Sequence, residues 1–150
     1  MRLTLTDGSG KVVSVNSYYL STKPDVLSKK EDDKDDWNIT WCESFADFTA
    51  LQSLPKVDLA IEKLGVRQFK EEEETRVRVK NQSNAIALLV RAKLSRDSVN
   101  GEEVLPVRWE DNYFMLLPGE ERVIAARYLL KDSSGQKLYA SVDCFNNGRG

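Results

Sequence analysis

Residues 75–81 read Thr-Arg-Val-Arg-Val-Lys-Asn, with an apolar residue at every second position between cations. An extended chain sends successive side chains to opposite faces, so this run fits a strand with Val77 and Val79 inward and Arg76, Arg78 and Lys80 outward. The same period recurs along the chain. In "VDLAIEKL" (57–64), Val57, Leu59 and Ile61 alternate with Asp58, Ala60 and Glu62. "AIALLVRAKLSR" reads as a longer, more buried strand, and "EEVLPVRW", "NYFMLLP", "RVIAARYLL" and "KLYASVDCF" complete the set. No helix-period segment of useful length interrupts them. About seven short strands joined by turn signals predict an all-β fold, an immunoglobulin-like antiparallel sandwich.

Composition removes several functions. The chain contains no histidine, which excludes Ser-His-Asp and Cys-His catalysis and imidazole metal sites. Cys42 and Cys144 cannot form a zinc site by themselves; one disulfide or two partly buried thiols both fit the sequence. Charged residues make up 31% at a net charge of -2, and no Arg/Lys stripe interleaves with aromatics, so no nucleic-acid partner is expected. "AIALLV" (85–90) is too short to cross a bilayer, and no membrane partner is expected. "MRLTLTDGSGK" lacks the apolar run of a secretory leader, so any signal of a secreted parent lies elsewhere. No cofactor or metal is expected.

Upstream of residue 56 the pattern changes. "RLTLT" and "GKVVSVN" flank Asp7-Gly8-Ser9-Gly10, a hairpin whose Leu3, Leu5, Val13 and Val15 are expected to share an apolar face. "SKKEDDKDDW" is a charged connector, and "ESFADFTALQSLP" fits a short helical turn or an irregular wrap ending at Pro55. The hairpin echoes a later stretch: "RLTLTDGSGKVVSVNSYYLS" (2–21) parallels "RAKLSRDSVNGEEVLPVRWEDNYFMLL" (91–117). The expected organisation is a terminal hairpin of a preceding sandwich (1–22), a charged linker and wrap (23–55), and one complete sandwich (56–147).

The candidate sites compete with ordinary β-structure. Trp109-Glu110-Asp111 places carboxylates beside an aromatic ring, as glycosidases do. Adjacent strand residues nevertheless point to opposite faces, whereas a glycosidase pair must converge across the sugar at about 5–5.5 or 6.5–9.5 Å. Trp109 and Phe114 therefore read as core anchors, Asp111-Asn112 as a local turn or bulge, and Leu117-Pro118-Gly119-Glu120 as a tight turn. No catalytic residue is assigned. Asp32, Asp33, Asp35 and Asp36 lack the Gly and Glu of a calcium loop and read as solvated linker. The run at 71–74 reads as an exposed turn before a strand. Trp37, Trp41, Tyr18 and Tyr19 are candidates for covering a domain junction or stacking on a sugar. Asn38 and Asn81 begin Asn-X-Ser/Thr triplets and are candidate glycan acceptors.

Three stretches carry a resemblance: "NSYYLSTKPDVL", "DDWNITWCESFADFTALQSLPKVDL" and "GEEVLPVRWEDNYFMLLPGEERVIAARY". They resemble the C-terminal region of glycoside hydrolase family two enzymes of the exo-β-D-glucosaminidase type and, more distantly, β-mannosidases and plant endo-β-mannosidases. The likeness covers about residues 10–145. Its most specific run goes from Pro106-Val107-Arg108-Trp109 through Asp111-Asn112-Tyr113-Phe114 to Leu117-Pro118-Gly119-Glu120. One departure lies at Trp41-Cys42-Glu43-Ser44, where relatives often have an aromatic-rich segment ending in Thr-Pro.

The resemblance implies the last immunoglobulin-like sandwich of a multidomain glycosidase. Its implied partners are the catalytic barrel and preceding sandwich of the same chain, and an oligosaccharide at an interface. The family's catalytic glutamates lie in the barrel, which no segment here matches. A secreted or vacuolar/lysosomal-type compartment follows if the parent is a glycosidase. The competing reading is a free-standing fibronectin-like adhesion or carbohydrate-binding module.

Overall fold

A computed structural model describes residues 1–28 and 41–148 and is all-β, with two compact units, Met1–Leu54 and Pro55–Gly150. The acidic run containing Asp32, Asp33, Asp35 and Asp36, together with Trp37 and Asn38, lies outside the described residues.

In the first unit, β1 (Arg2–Thr6) and β2 (Val12–Ser17) form an antiparallel hairpin. Asp7 builds its turn. One carboxylate oxygen accepts from the Ser9 N–H (2.9 Å), the Ser9 hydroxyl (2.6 Å) and the Lys11 N–H (3.0 Å). These bonds favour the charged form and hold the carboxyl below its ordinary range. The register pairs Leu5 with Ser14 and Thr4 with Val15. Cross-strand partners share a face, so Leu3 and Leu5 lie opposite Val15, and the expected single apolar face is corrected. β3 (Val26–Leu27) pairs with β4 (Cys42–Ser44), and Thr49–Ser53 makes the expected short helical turn as a 3-10 helix.

The second unit is the sandwich. One sheet has the order β5 (Leu59–Gln68), β6 (Glu72–Asn81), β10 (Glu121–Leu129), β8 (Arg108–Trp109). The other has the order β11 (Leu138–Asp143), β7 (Ala87–Arg96), β9 (Phe114–Leu116). A four-residue helix, α1 (Leu130–Ser133), joins β10 to the loop before β11. As the alternation predicts, Val77 and Val79 point inward; they and Ile124 and Ala126 of β10 are at most 1% exposed.

Between the sheets lie two apolar clusters. Val57, Val77, Val79, Val90, Phe114, Leu116 and Ile124 anchor one, while Leu94, Val104, Tyr128 and Leu138 anchor the other. Trp109 packs against both. Each fully buried Val, Leu or Ile contributes about 1.5–3 kcal/mol relative to exposure.

Two sequence expectations are corrected here. "EEVLPVRW" is not one strand: Glu103 makes an isolated bridge to Ser95, and the ladder resumes only at Arg108. Pro106, between them, has no N–H to donate to a ladder. Residues 71–74 are not an exposed turn, because β6 starts at Glu72 and Glu74 is only 7% exposed. Glu73 accepts from the Tyr128 hydroxyl at 2.9 Å.

Candidate functional site

The segment that first suggests chemistry is where the chain changes sheets. Arg108 and Trp109 pair with Arg127 and Ala126 of β10, and the Glu110 N–H still donates to the Ala125 carbonyl at 2.8 Å. Asp111 then forms an ion pair with Arg122. Asn112 reaches the opposite sheet, its Oδ1 accepting from the Ala92 N–H (2.9 Å) and its Nδ2 donating to the Ala92 carbonyl (3.1 Å). The asparagine keeps the expected local contact, its Oδ1 also accepting from the Tyr113 N–H at 3.2 Å, and in addition its amide stands in for a strand partner of β7. Tyr113 completes the bend at a φ of 59°, in the left-handed region that bulky residues rarely occupy. The following turn has the expected form, with the Glu120 N–H donating to the Leu117 carbonyl (3.0 Å) and Gly119 at a φ of 73°.

Glu110 and Asp111 do not form a catalytic pair here. One is exposed and the other is committed to an arginine. Among the described residues, no group of three or more His, Cys, Asp or Glu side chains is placed to hold a metal ion.

What the fold gathers instead is arginine. Cross-strand register aligns Arg67, Glu74, Arg127 and Arg108 in one row across β5, β6, β10 and β8. The next row is Gly65, Arg76 and Ala125. Apart from Gly65, these residues line, together with Trp109 and Glu110, a shallow trough of about 470 Å³ on the outer face of the four-stranded sheet. Glu74 is buried at its floor, with Oε2 accepting from Arg127 Nε at 2.8 Å and lying 2.8 Å from Nη2. Arg108 forms an ion pair with Glu72. Its four arginines outnumber the two carboxylates that line it, Glu74 and Glu110, and Glu74 is committed to Arg127. Sequence reasoning missed it because its arginines come from four separate strands.

The remaining candidates fall in several places. Trp41 is 67% exposed, and Tyr18 and Tyr19 are 42% and 41% exposed, all in the first unit. The Tyr18 hydroxyl accepts from Asn16 Nδ2 at 2.9 Å. Cys42 and Cys144 are free and half-buried, and burial raises the Cys144 thiol above its ordinary range.

Asn81, the other candidate glycan acceptor, lies inside the sandwich. It is fully buried, and its Nδ2 donates to the carbonyls of Ala85 (2.7 Å), Leu116 (3.2 Å) and Leu117 (3.2 Å). The nitrogen a glycan would require is thus occupied in tying β6 to the β9 end. Asn146 works the same way: Oδ1 accepts from the Leu88 N–H, and Nδ2 donates to the Pro55 and Ile86 carbonyls.

Comparison with known proteins matches residues 37–147 to the family model described as the exo-β-D-glucosaminidase Ig-fold domain. An exo-β-D-glucosaminidase of Arthroderma benhamiae is 38% identical over 133 residues, covering 85% of this chain and 14% of that protein. One from Amycolatopsis orientalis is 37% identical over 146 residues, covering 96% of this chain and 14% of that protein. The crystal structure of the Amycolatopsis orientalis exo-chitosanase CsxA superposes with a TM-score of 0.81 at 35% identity, covering 97% of this chain and 17% of that one.

Proposed function

Because the chain belongs to the exo-β-D-glucosaminidase Ig-fold domain family, we propose that it is a non-catalytic sandwich module of a longer exo-β-D-glucosaminidase and braces the catalytic barrel of that enzyme. The observation that carries this reading is coverage. The match spans residues 37–147, yet the chain spans only 14% of the first two relatives. A segment of that size supplies one domain of the parent, and the sandwich described above is that domain. The placement of Asp111 supports the same reading, since its carboxylate is committed to Arg122. In the proposed parent, the hairpin at 1–22 completes a neighbouring sandwich, and Trp41, Tyr18 and Tyr19 belong to a surface covered by other domains.

The direct test is to assay the purified chain on a chromogenic β-D-glucosaminide and to titrate it with glucosamine oligomers. No turnover and no measurable affinity are expected. Turnover that tracks the protein and disappears in Glu110→Gln or Asp111→Asn would overturn the non-catalytic reading. Saturable oligomer binding would favour a carbohydrate-binding module instead.

A further inference from the structure

We propose that the arginine trough on the outer face of the β5–β6–β10–β8 sheet docks a carboxylate-bearing segment of the parent chain from outside these 150 residues. The inference rests on the module reading and names the surface through which bracing acts.

Arg78, Arg108 and Arg127 on this face each have a carboxylate partner, in Glu62, Glu72 and Glu74 respectively. Arg67 and Arg76 have none among the described residues. Arg76 stands on a central strand between Gly65 and Ala125, so its neighbours across the ladder add almost no bulk. A Cβ placed at Gly65 would meet nothing within 4 Å, so the floor beside Arg76 is open. Buried Glu74 fixes Arg127 through two guanidinium nitrogens, giving the trough a preset wall. Four arginines then face Glu74 and Glu110 in a trough of about 470 Å³, an excess of positive charge suited to bidentate recognition of carboxylates.

The same charge disfavours the sugar. Glucosamine oligomers carry amines that become cations on protonation, and an arginine trough repels them. The relatives extend far beyond the matched region, which leaves most of a parent chain to supply the acidic segment.

The test is arginine-specific dicarbonyl footprinting, read residue by residue by mass spectrometry, on this chain and on the full-length parent. Modification of Arg67 and Arg76 should be about tenfold slower in the parent, equivalent to about 1.4 kcal/mol of protection. Arg67→Gln with Arg76→Gln should leave the melting midpoint of this chain nearly unchanged, yet should restore the reactivity of Arg108 in the parent. Should Arg67 and Arg76 stay fully reactive while arginines elsewhere on the sandwich become protected, the trough assignment fails and the module reading stands. If no arginine of the domain is protected in the parent, both fail. Protection of this chain by glucosamine oligomers alone would make the trough a sugar site and overturn the proposal.

Discussion

Tyr128→Phe removes one oxygen from the core, and its effect can be worked out from three groups. The Tyr128 side chain is 3% exposed, and its hydroxyl lies 2.9 Å from both Glu73 Oε2 and Thr75 Oγ1. A phenol has one proton. Since it donates to the Glu73 carboxylate, the Thr75 hydroxyl must donate to the phenol oxygen. Deleting that oxygen leaves the fully buried Thr75 hydroxyl unpaired and removes a donor from Glu73. The expected cost at neutral pH is about 1–3 kcal/mol, the price of an orphaned buried polar group. Adding Thr75→Val to Tyr128→Phe removes both partners, so the double variant should lose less than the sum of the singles, a coupling that a double-mutant cycle reads directly.

The pH dependence gives a second, independent readout. Burial, reinforced by the hydrogen bond to Glu73 and by its charge, pushes the Tyr128 phenol from its ordinary value of 10.0 up to about 12. The folded state therefore holds this proton more tightly than the unfolded chain. The resulting stabilisation is complete below pH 10 and disappears as pH rises through 12. A shift of this size corresponds to about 2–3 kcal/mol. Urea melts at pH 7, 10 and 11.5 should show the wild type losing stability over the alkaline interval more steeply than Tyr128→Phe. Parallel pH slopes, or a neutral-pH cost near zero, would show that the phenol is not held in the described network.

Other expectations follow from the same contacts. Asn81→Ala removes a shared donor from three carbonyls, of which that of Leu117 keeps the Glu120 N–H, and should cost about 2–4 kcal/mol in urea melts; expression through a secretory route should add no glycan at Asn81, read by intact mass before and after an endoglycosidase. Trp109→Ala should cost about 3–5 kcal/mol because the ring bridges both core clusters, whereas exposed Glu110→Gln should stay within about 0.5 kcal/mol. The reverse order in melts would mean that the faces of β8 are misassigned. Amides in 2–17 should exchange with solvent much faster than those in 87–96, since an isolated two-stranded hairpin is marginal in water. Equal protection in a monomer would make the hairpin integral to this domain.

The sequence by itself determined the fold class, because period two is a property of the extended backbone. Val77 and Val79 point inward wherever the strand lies, and the Pro118-Gly119 pair carries its own turn geometry. The resemblance also lies in linear runs such as Pro106-Val107-Arg108-Trp109, which need no partner strand to be read. Alternation along one strand says nothing about which residue stands beside it on the next. Register therefore decided that Leu3 and Val15 lie on opposite faces, that Asn112 serves Ala92 across the sandwich, and that the amide of Asn81 is consumed inside the core. It also brought Arg67, Arg76, Arg108 and Arg127 from four strands into one trough around Glu74. Each cation is an unremarkable outward residue in its own run, and only hydrogen-bonded pairing of distant segments turns them into a common field.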